Sequence, residues 1–161
     1  MCTNQYKNPI PTVDVIIQSE FQILFVKRKK NPFKQYLALP GGFVDEGETV
    51  EIAARREVRE ETSLDVELTD ILGVYSDPKR DPRGHIMSTV FIGKILDHNK
   101  NKGIAGDDAS ELEWINEEDT DNRSFAFDHN KILSDYRKWK KTGGTFWSTK
   151  DKDANSNRSQ C

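Results

Sequence analysis

The chain has 161 residues, of which 35% are hydrophobic and 32% charged, with a formal net charge of −3. This length predicts one domain that can bury a sizeable core without disulfide or metal staples. No apolar run approaches the roughly 18 residues of a membrane span, and the N-terminus lacks an apolar signal-peptide core. The acidic balance argues against a nucleic-acid partner. Cys2 and Cys161 stand at opposite ends of the chain, so a reducing, cytoplasmic setting is expected.

The first predicted elements are two strands within Thr12–Lys27, joined by a Ser-Glu turn and rich in β-branched and aromatic residues. Asn31-Pro32 ends the second strand. A helix is predicted from Thr49 to about Thr62, where helix formers continue without Gly or Pro and Thr49 is a suitable N-cap. The later elements are strands at Leu64–Val74, Ser88–Leu96 and Leu112–Ile115, and a terminal helix at Asp128–Lys141.

These elements predict an α/β or α+β class, with helices layered on one sheet, and of the two we favour α/β. We expect one domain over residues 1–147 and a polar, flexible tail over residues 148–161.

Three glutamates of the first helix, Glu57, Glu60 and Glu61, are spaced to project from one helical face. Like charges so placed cost about 0.2–0.5 kcal/mol per pair in isolation. Two interpretations remain open: pairing with neighbouring arginines on a solvated face, or a divalent cation. The adjoining apolar face and the Pro-Gly-Gly turn before the helix favour the cation. Mg²⁺ commonly takes one or two carboxylates together with water and phosphate oxygens.

The segment Gly41–Leu64, GGFVDEGETVEIAARREVREETSL, resembles the box of the Nudix hydrolase superfamily. Every fixed position matches except one, where Ser63 replaces a glycine. Glycine suits a left-handed helix end, so we expect Ser63 to cost on the order of 1 kcal/mol there, unless the turn differs. The resemblance implies an α/β/α sandwich with a mixed sheet, and cleavage of nucleoside diphosphates linked to another group. The matching positions are Gly42, Glu48, Arg56, Glu57, Val58, Glu60, Glu61 and Leu64.

The same resemblance implies roles for the matching residues. Glu57 and Glu61 would be the main ligands of Mg²⁺ or Mn²⁺, with Glu60 as an accessory ligand and the backbone carbonyl of Gly41 completing the site. Glu48 and Arg56 would form an ion pair that holds the loop to the helix.

Substrate choice is expected to depend on the loop from Tyr75 to His85, which contains two prolines and several charges. It is either a solvated turn or an anion-facing loop in which Arg80 and Arg83 reach phosphate. The loop is similar to that of ADP-ribose pyrophosphatases in the Nudix superfamily, in which a proline about 15 residues past the box marks the subgroup. Pro78 occupies the corresponding place.

Further candidates are more ambiguous. Arg28 could bind phosphate or be a solvated charge. Several aromatic residues could stack on adenine or belong to the core: Phe33, Tyr36, Phe125 and Phe127. Glu111 is the candidate general base, with Asp107 and Asp108 in the same predicted loop. The histidines, His85, His98 and His129, receive no catalytic role.

The predicted function is Mg²⁺-dependent hydrolysis of ADP-ribose to AMP and ribose 5-phosphate. The alternatives are an oxidised nucleoside triphosphate pyrophosphohydrolase, an NADH pyrophosphatase and a non-catalytic ADP-ribose sensor. Sensors of this family are usually fused to a DNA-binding module, and the roughly 20 residues after the terminal helix are too few for one. The expected partner is a small nucleoside diphosphate, and the resemblance is compatible with a homodimer.

Overall fold

The computed structural model describes residues 7–96, 103–106 and 109–150, and these form a mixed sheet with two α-helices. The first half contains β1 (Ile10–Ser19), β2 (Gln22–Arg28), β3 (Leu37–Ala38), β4 (Gly41–Phe43) and helix α1 (Val50–Thr62). The second half contains β5 (Val66–Tyr75), β6 (Ile86–Ile95), β7 (Ala109–Asn116), a 3₁₀ helix (Glu117–Asn122), helix α2 (His129–Thr142) and β8 (Phe146–Trp147).

Strand β1 is the centre of the sheet. It runs parallel to β6 along most of its length, from Ile10 opposite Ile86 to Ile17 opposite Gly93. It pairs with β2 only beside their connecting turn. Farther along, β1 pairs with β4, whereas β2 pairs with β3 and β7. The two strands therefore diverge, and a cleft opens between them.

The core has two layers, one on each face of this sheet. Val13, Val15 and Ile17 of β1 pack in one layer with the buried face of α1, and Ile16 packs in the other layer with α2. Because successive strand residues point to opposite faces, an apolar run such as VDVII serves a strand that is covered on both sides. The predicted α/β/α sandwich with a mixed sheet is confirmed.

Helix α1 begins and ends as its sequence suggests. The Thr49 side chain accepts a hydrogen bond from the Ile52 amide at 3.3 Å, which satisfies one free donor of the first turn. Ser63 ends the helix in the left-handed conformation, with φ 58° and ψ 19°. The serine therefore occupies the backbone conformation for which the family pattern uses glycine.

The last strands differ from prediction in two respects. The predicted short strand at Leu112–Ile115 is part of the longer β7, so Glu111 lies within a strand and not in a loop. Ser148, assigned to the flexible tail, is buried against the end of β5. The ordered fold thus continues past residue 147. Asp107, Asp108 and His98 lie outside the described residues. Within the described chain, neither α-helix has the length and apolar content that would let it cross a membrane.

Candidate active site

A cleft of about 250 Å³ occupies the space between the diverging strands β1 and β2. Its walls come from β1, β2, β4, α1, the loop after β5 and the start of α2. The box residues Glu57 and Glu61 both line it, and so do Arg28 and Arg83. The structure therefore brings together two carboxylates and two cations that are far apart in the sequence.

Glu61 is a strongly perturbed acid of this cleft. Burial raises its pKa to about 8, and the negative charges of Glu57 and Asp14 act in the same direction. The amide of Gly41 donates a hydrogen bond to its Oε2 at 3.1 Å, which partly offsets that rise. Burial also raises the pKa of Glu57, against the opposing effect of Arg56. The cleft thus concentrates negative charge that the protein only partly compensates.

This charge fits a divalent cation with oxygen ligands. A cation beside Glu57 and Glu61 would favour their ionised forms and offset the burial cost. Within the described residues, no three acidic, histidine or cysteine side chains are grouped closely enough to form a complete cage. The two glutamates would therefore share such an ion with water or substrate oxygens, as Mg²⁺ sites commonly do.

Arg56 orients the carboxylates beside the cleft. Its guanidinium donates to both carboxylate oxygens of Glu48, at 2.8 and 2.9 Å, and to the carbonyl of Phe43 at 2.9 Å. It also donates to Oε1 of Glu57 at 2.8 Å. The hydrogen bonds from Arg56 lower the pKa of Glu48 to about 2. One arginine thus ties the loop before α1 to a cleft glutamate, which is the arrangement predicted for Glu48 and Arg56.

Glu60 is placed differently from its two neighbours. Its side chain is 60% exposed, bonds to Arg56 at 3.2 Å and does not line the cleft. In this arrangement Glu60 belongs to the solvated face that the charge-pairing interpretation described, and not to the cleft.

Another part of the cleft lining combines two arginines with two phenylalanine rings. The guanidinium of Arg83 lies 5.2 Å from the ring centres of both Phe43 and Phe127, and that of Arg28 lies 4.8 Å from Phe127. Burial and the nearby Arg83 lower the pKa of Arg28. Two crowded, partly desolvated cations of this kind suit a ligand with more than one anionic oxygen. Phe127, for which core and stacking roles were both open, lines the cleft.

Arg80 corrects a prediction. It lines the cleft, but its side chain is only 3% exposed, and two of its nitrogens donate to Asp128 at 3.0 and 2.7 Å. Asp14 lies 3.7 Å from the same guanidinium. Because the half-buried Asp128 carboxylate occupies these donors, Arg80 holds the loop to the N-terminus of α2 and is not a free phosphate ligand in this structure.

Three other candidates lie outside the cleft lining. Phe33 packs edge-on against Tyr36 and Phe127, and Tyr36 itself is largely exposed. Glu111 pairs with Lys27 at 3.1 Å across β2 and β7, and its side chain is 58% exposed. A general base must reach a water near the reacting phosphorus. The placement of Glu111 does not support that role.

Two further residues of the cleft are Asp14, which sequence reasoning missed, and His129, to which it gave no catalytic role. Asp14 accepts a hydrogen bond from Ser88 at 2.5 Å, and His129 Nε2 lies 3.5 Å from its Oδ1. The amide of Leu39 donates to His129 Nδ1 at 3.0 Å, which assigns the ring proton to Nε2. The available signal for Asp14 was a lone carboxylate in an otherwise apolar central strand.

The fold and the cleft define a class of protein in which a glutamate-bearing helix follows a short Gly-Gly strand and lines one cleft together with arginines. The NUDIX domain family model matches residues 8–136, and the chain belongs to this family. The predicted relationship to the Nudix superfamily is thereby confirmed.

The chain is similar to characterised members of the family. It is 52% identical over 136 residues to the ADP-ribose pyrophosphatase of Methanocaldococcus jannaschii, covering 84% of this chain and 77% of that protein. It is 32% identical to the ADPR responsive transcriptional repressor NtrR of Acinetobacter baylyi, covering 81% of this chain and 54% of the repressor.

A solved structure with the same fold is the bifunctional NMN adenylyltransferase/ADP ribose pyrophosphatase of Francisella tularensis complexed with AMP and a manganese ion. It aligns with a TM-score of 0.69 at 29% identity, over 87% of this chain and 43% of that one. The prediction of an enzyme of the pyrophosphohydrolase class agrees with these matches.

Proposed function

We propose that this protein hydrolyses the pyrophosphate of ADP-ribose, giving AMP and ribose 5-phosphate, with Mg²⁺ or Mn²⁺ as the cofactor. The observation that carries the proposal is that Glu57 and Glu61 line the same cleft as Arg28 and Arg83. A diphosphate needs both features, because its oxygens are bound by cations and its phosphorus is shielded from attack by negative charge.

The cleft residues would have two separate roles, binding of the metal ion and binding of the phosphate oxygens. Glu57 and Glu61 would hold the ion, with Arg56 orienting the first carboxylate and the Gly41 amide orienting the second. When bound, the ion neutralises phosphate charge and lowers the pKa of a coordinated water. Arg28 and Arg83 would bind phosphate oxygens, which holds the anhydride in place.

The choice of ADP-ribose is supported by the relatives. The protein at 52% identity is named an ADP-ribose pyrophosphatase, and the repressor at 32% identity is named as responsive to ADPR. The Francisella structure holds AMP and manganese, which are the proposed product and one proposed cofactor.

A substrate panel tests the proposal. Purified protein would be incubated with ADP-ribose, NADH or 8-oxo-dGTP, with Mg²⁺, Mn²⁺ or EDTA, and the products separated by chromatography. We expect AMP and ribose 5-phosphate from ADP-ribose, only with metal. Faster conversion of 8-oxo-dGTP or NADH would select one of the other hydrolase activities. Tight ADP-ribose binding without any product would favour the sensor.

We further propose a cytoplasmic location and a homodimer. The first is supported by the absence of paired or clustered cysteines in the sequence. The second depends on family resemblance alone, and light scattering on the purified protein tests it.

A further inference from the structure

The C-terminal strand β8 lies beyond the part of the chain that matches the family model, which ends at residue 136. It pairs in parallel with the end of β5, with Phe146 opposite Gly73. Phe146 is buried in the core layer that contains α2. The approach is close, since a Cβ on Gly73 would lie 1.9 Å from the Phe146 carbonyl oxygen. The segment is therefore an integral part of the sheet.

Ser148 follows β8 directly and is buried. Its Oγ accepts two hydrogen bonds, from the amide of Ser76 at 2.8 Å and from that of Asp77 at 3.1 Å. Ser76 and Asp77 are the first residues of the loop after β5. One hydroxyl from the end of the fold thus satisfies two consecutive donors where that loop leaves the sheet.

The loop is ordered onward from this point by short-range bonds. The carboxylate of Asp77 accepts from the Lys79 amide, and its carbonyl accepts from the Arg80 amide, both at 2.9 Å. The side chain of Asp81 then accepts from the amide and the guanidinium of Arg83. The geometry of each of these hydrogen bonds depends on the orientation of the peptide group before it. The orientation of the Asp77 backbone therefore affects the position of the Arg83 guanidinium in the cleft.

We propose that Ser148 is a positioning residue for substrate binding, acting through the loop that carries Arg83. The residue touches neither the cleft nor the box glutamates. Its hydroxyl fixes the first two amides of the loop, and the loop presents a cation to the substrate phosphate. The inference rests on the proposed function in its choice of substrate, while the hydrogen bonds themselves can be tested independently.

The test compares Ser148→Ala with Ser134→Ala, a matched control at an exposed position of α2. For Ser148→Ala we expect KM for ADP-ribose to rise ~three- to tenfold, the range that ordinary hydrogen bonds correspond to, with kcat within about twofold. Amide hydrogen exchange should accelerate in peptides covering Ser76–Arg83. The control should change neither quantity. In an Arg83→Leu background, Ser148→Ala should raise KM less than about twofold, since both changes act on one contact.

Other outcomes would distinguish a positioning role of Ser148 from a purely structural one. An unchanged KM overturns the positioning role, whether or not exchange accelerates. A lower active fraction with unchanged KM assigns Ser148 a merely structural part. If ADP-ribose is bound but not cleaved, its Kd from calorimetry replaces KM. If another nucleotide of the panel is cleaved, its KM is used. Failure of the proposed function is in this way distinguished from failure of the Ser148 assignment.

Discussion

The carboxylate of Glu57 occupies the space where a side chain at position 42 would begin, because a Cβ on Gly42 would lie 2.4 Å from Glu57 Cδ. The three nearest atoms all belong to the end of the flexible Glu57 side chain. We therefore expect Gly42→Ala to fold normally and to displace the carboxylate from the cleft. Misplacement of a catalytic group by about 1 Å can cost on the order of a hundredfold in rate. Two measurements check this: kcat, which should fall, and the thermal unfolding midpoint, which should stay near that of wild type. A large drop in the midpoint together with the loss of kcat would contradict the prediction.

Removing either cleft carboxylate should abolish most activity. Glu57→Gln and Glu61→Gln are each expected to lower kcat by about a hundredfold or more, since a bound metal supplies several kcal/mol of charge stabilisation. Glu111→Gln is the control, because Glu111 lies outside the cleft and is largely exposed. Steady-state kinetics at saturating Mg²⁺ compare the three variants. Near-normal rates in both cleft variants would contradict the metal assignment.

Arg80 and Arg83 should behave differently although they are three residues apart. Arg80→Leu removes a buried guanidinium from the half-buried Asp128 carboxylate and from the buried Asp14 carboxylate, so we expect the free energy of unfolding to fall by about 3–5 kcal/mol. Arg83→Leu removes the guanidinium partner of the buried Asp81 carboxylate, so it should also lower the free energy of unfolding, by about 1–3 kcal/mol, and it should in addition raise KM. Urea unfolding gives the stability of both variants, and steady-state kinetics give their KM. A strongly destabilised Arg83→Leu beside a stable Arg80→Leu would reverse the two assignments.

Ser63 offers a stabilising substitution. Its left-handed conformation is unfavourable for any residue with a Cβ, so Ser63→Gly should raise the free energy of unfolding by ~0.5–1 kcal/mol without altering activity. Ser134→Gly, in the interior of α2, should lower it by a similar amount. Urea unfolding of both variants provides the comparison. If the two substitutions change the free energy of unfolding in the same direction, the argument from backbone conformation is contradicted.

The raised pKa of Glu61 predicts a pH dependence of the metal-free protein. Its folded pKa of about 8 lies above the ordinary value of 4.5, so the folded state binds this proton more tightly than the unfolded chain. The stability contributed by this group is complete below about pH 4.5. It is lost as the pH rises towards 8, by on the order of 1 kcal/mol per pH unit at most.

The measurement is urea unfolding in EDTA at pH 5, 6.5 and 8, for wild type and Glu61→Gln. The wild type should lose stability relative to the variant as the pH rises, and Mg²⁺ should reduce that loss. Parallel pH profiles for the two proteins in EDTA would show that Glu61 does not titrate in this way.

Much of the fold was already encoded in local patterns. Segments rich in β-branched and aromatic residues predicted β1 and β2, and a run of helix formers with Thr49 as the N-cap predicted α1 to within one residue at each end. The box spacing placed Glu57 and Glu61 on one helical face. These features depend on contacts between residues a few positions apart, which a sequence displays directly.

Only the tertiary structure decided which charged residues meet at the cleft. Arg80 and Arg83 look equivalent in the sequence, but Arg80 pairs with Asp128 at the N-terminus of α2, whereas Arg83 pairs with the neighbouring Asp81 and remains partly exposed. Asp14 and Ser148 gain their roles from partners more than 70 residues away. Such pairings depend on strand register and on the packing of α2. Local sequence specifies neither, because both are set by burial of the whole core.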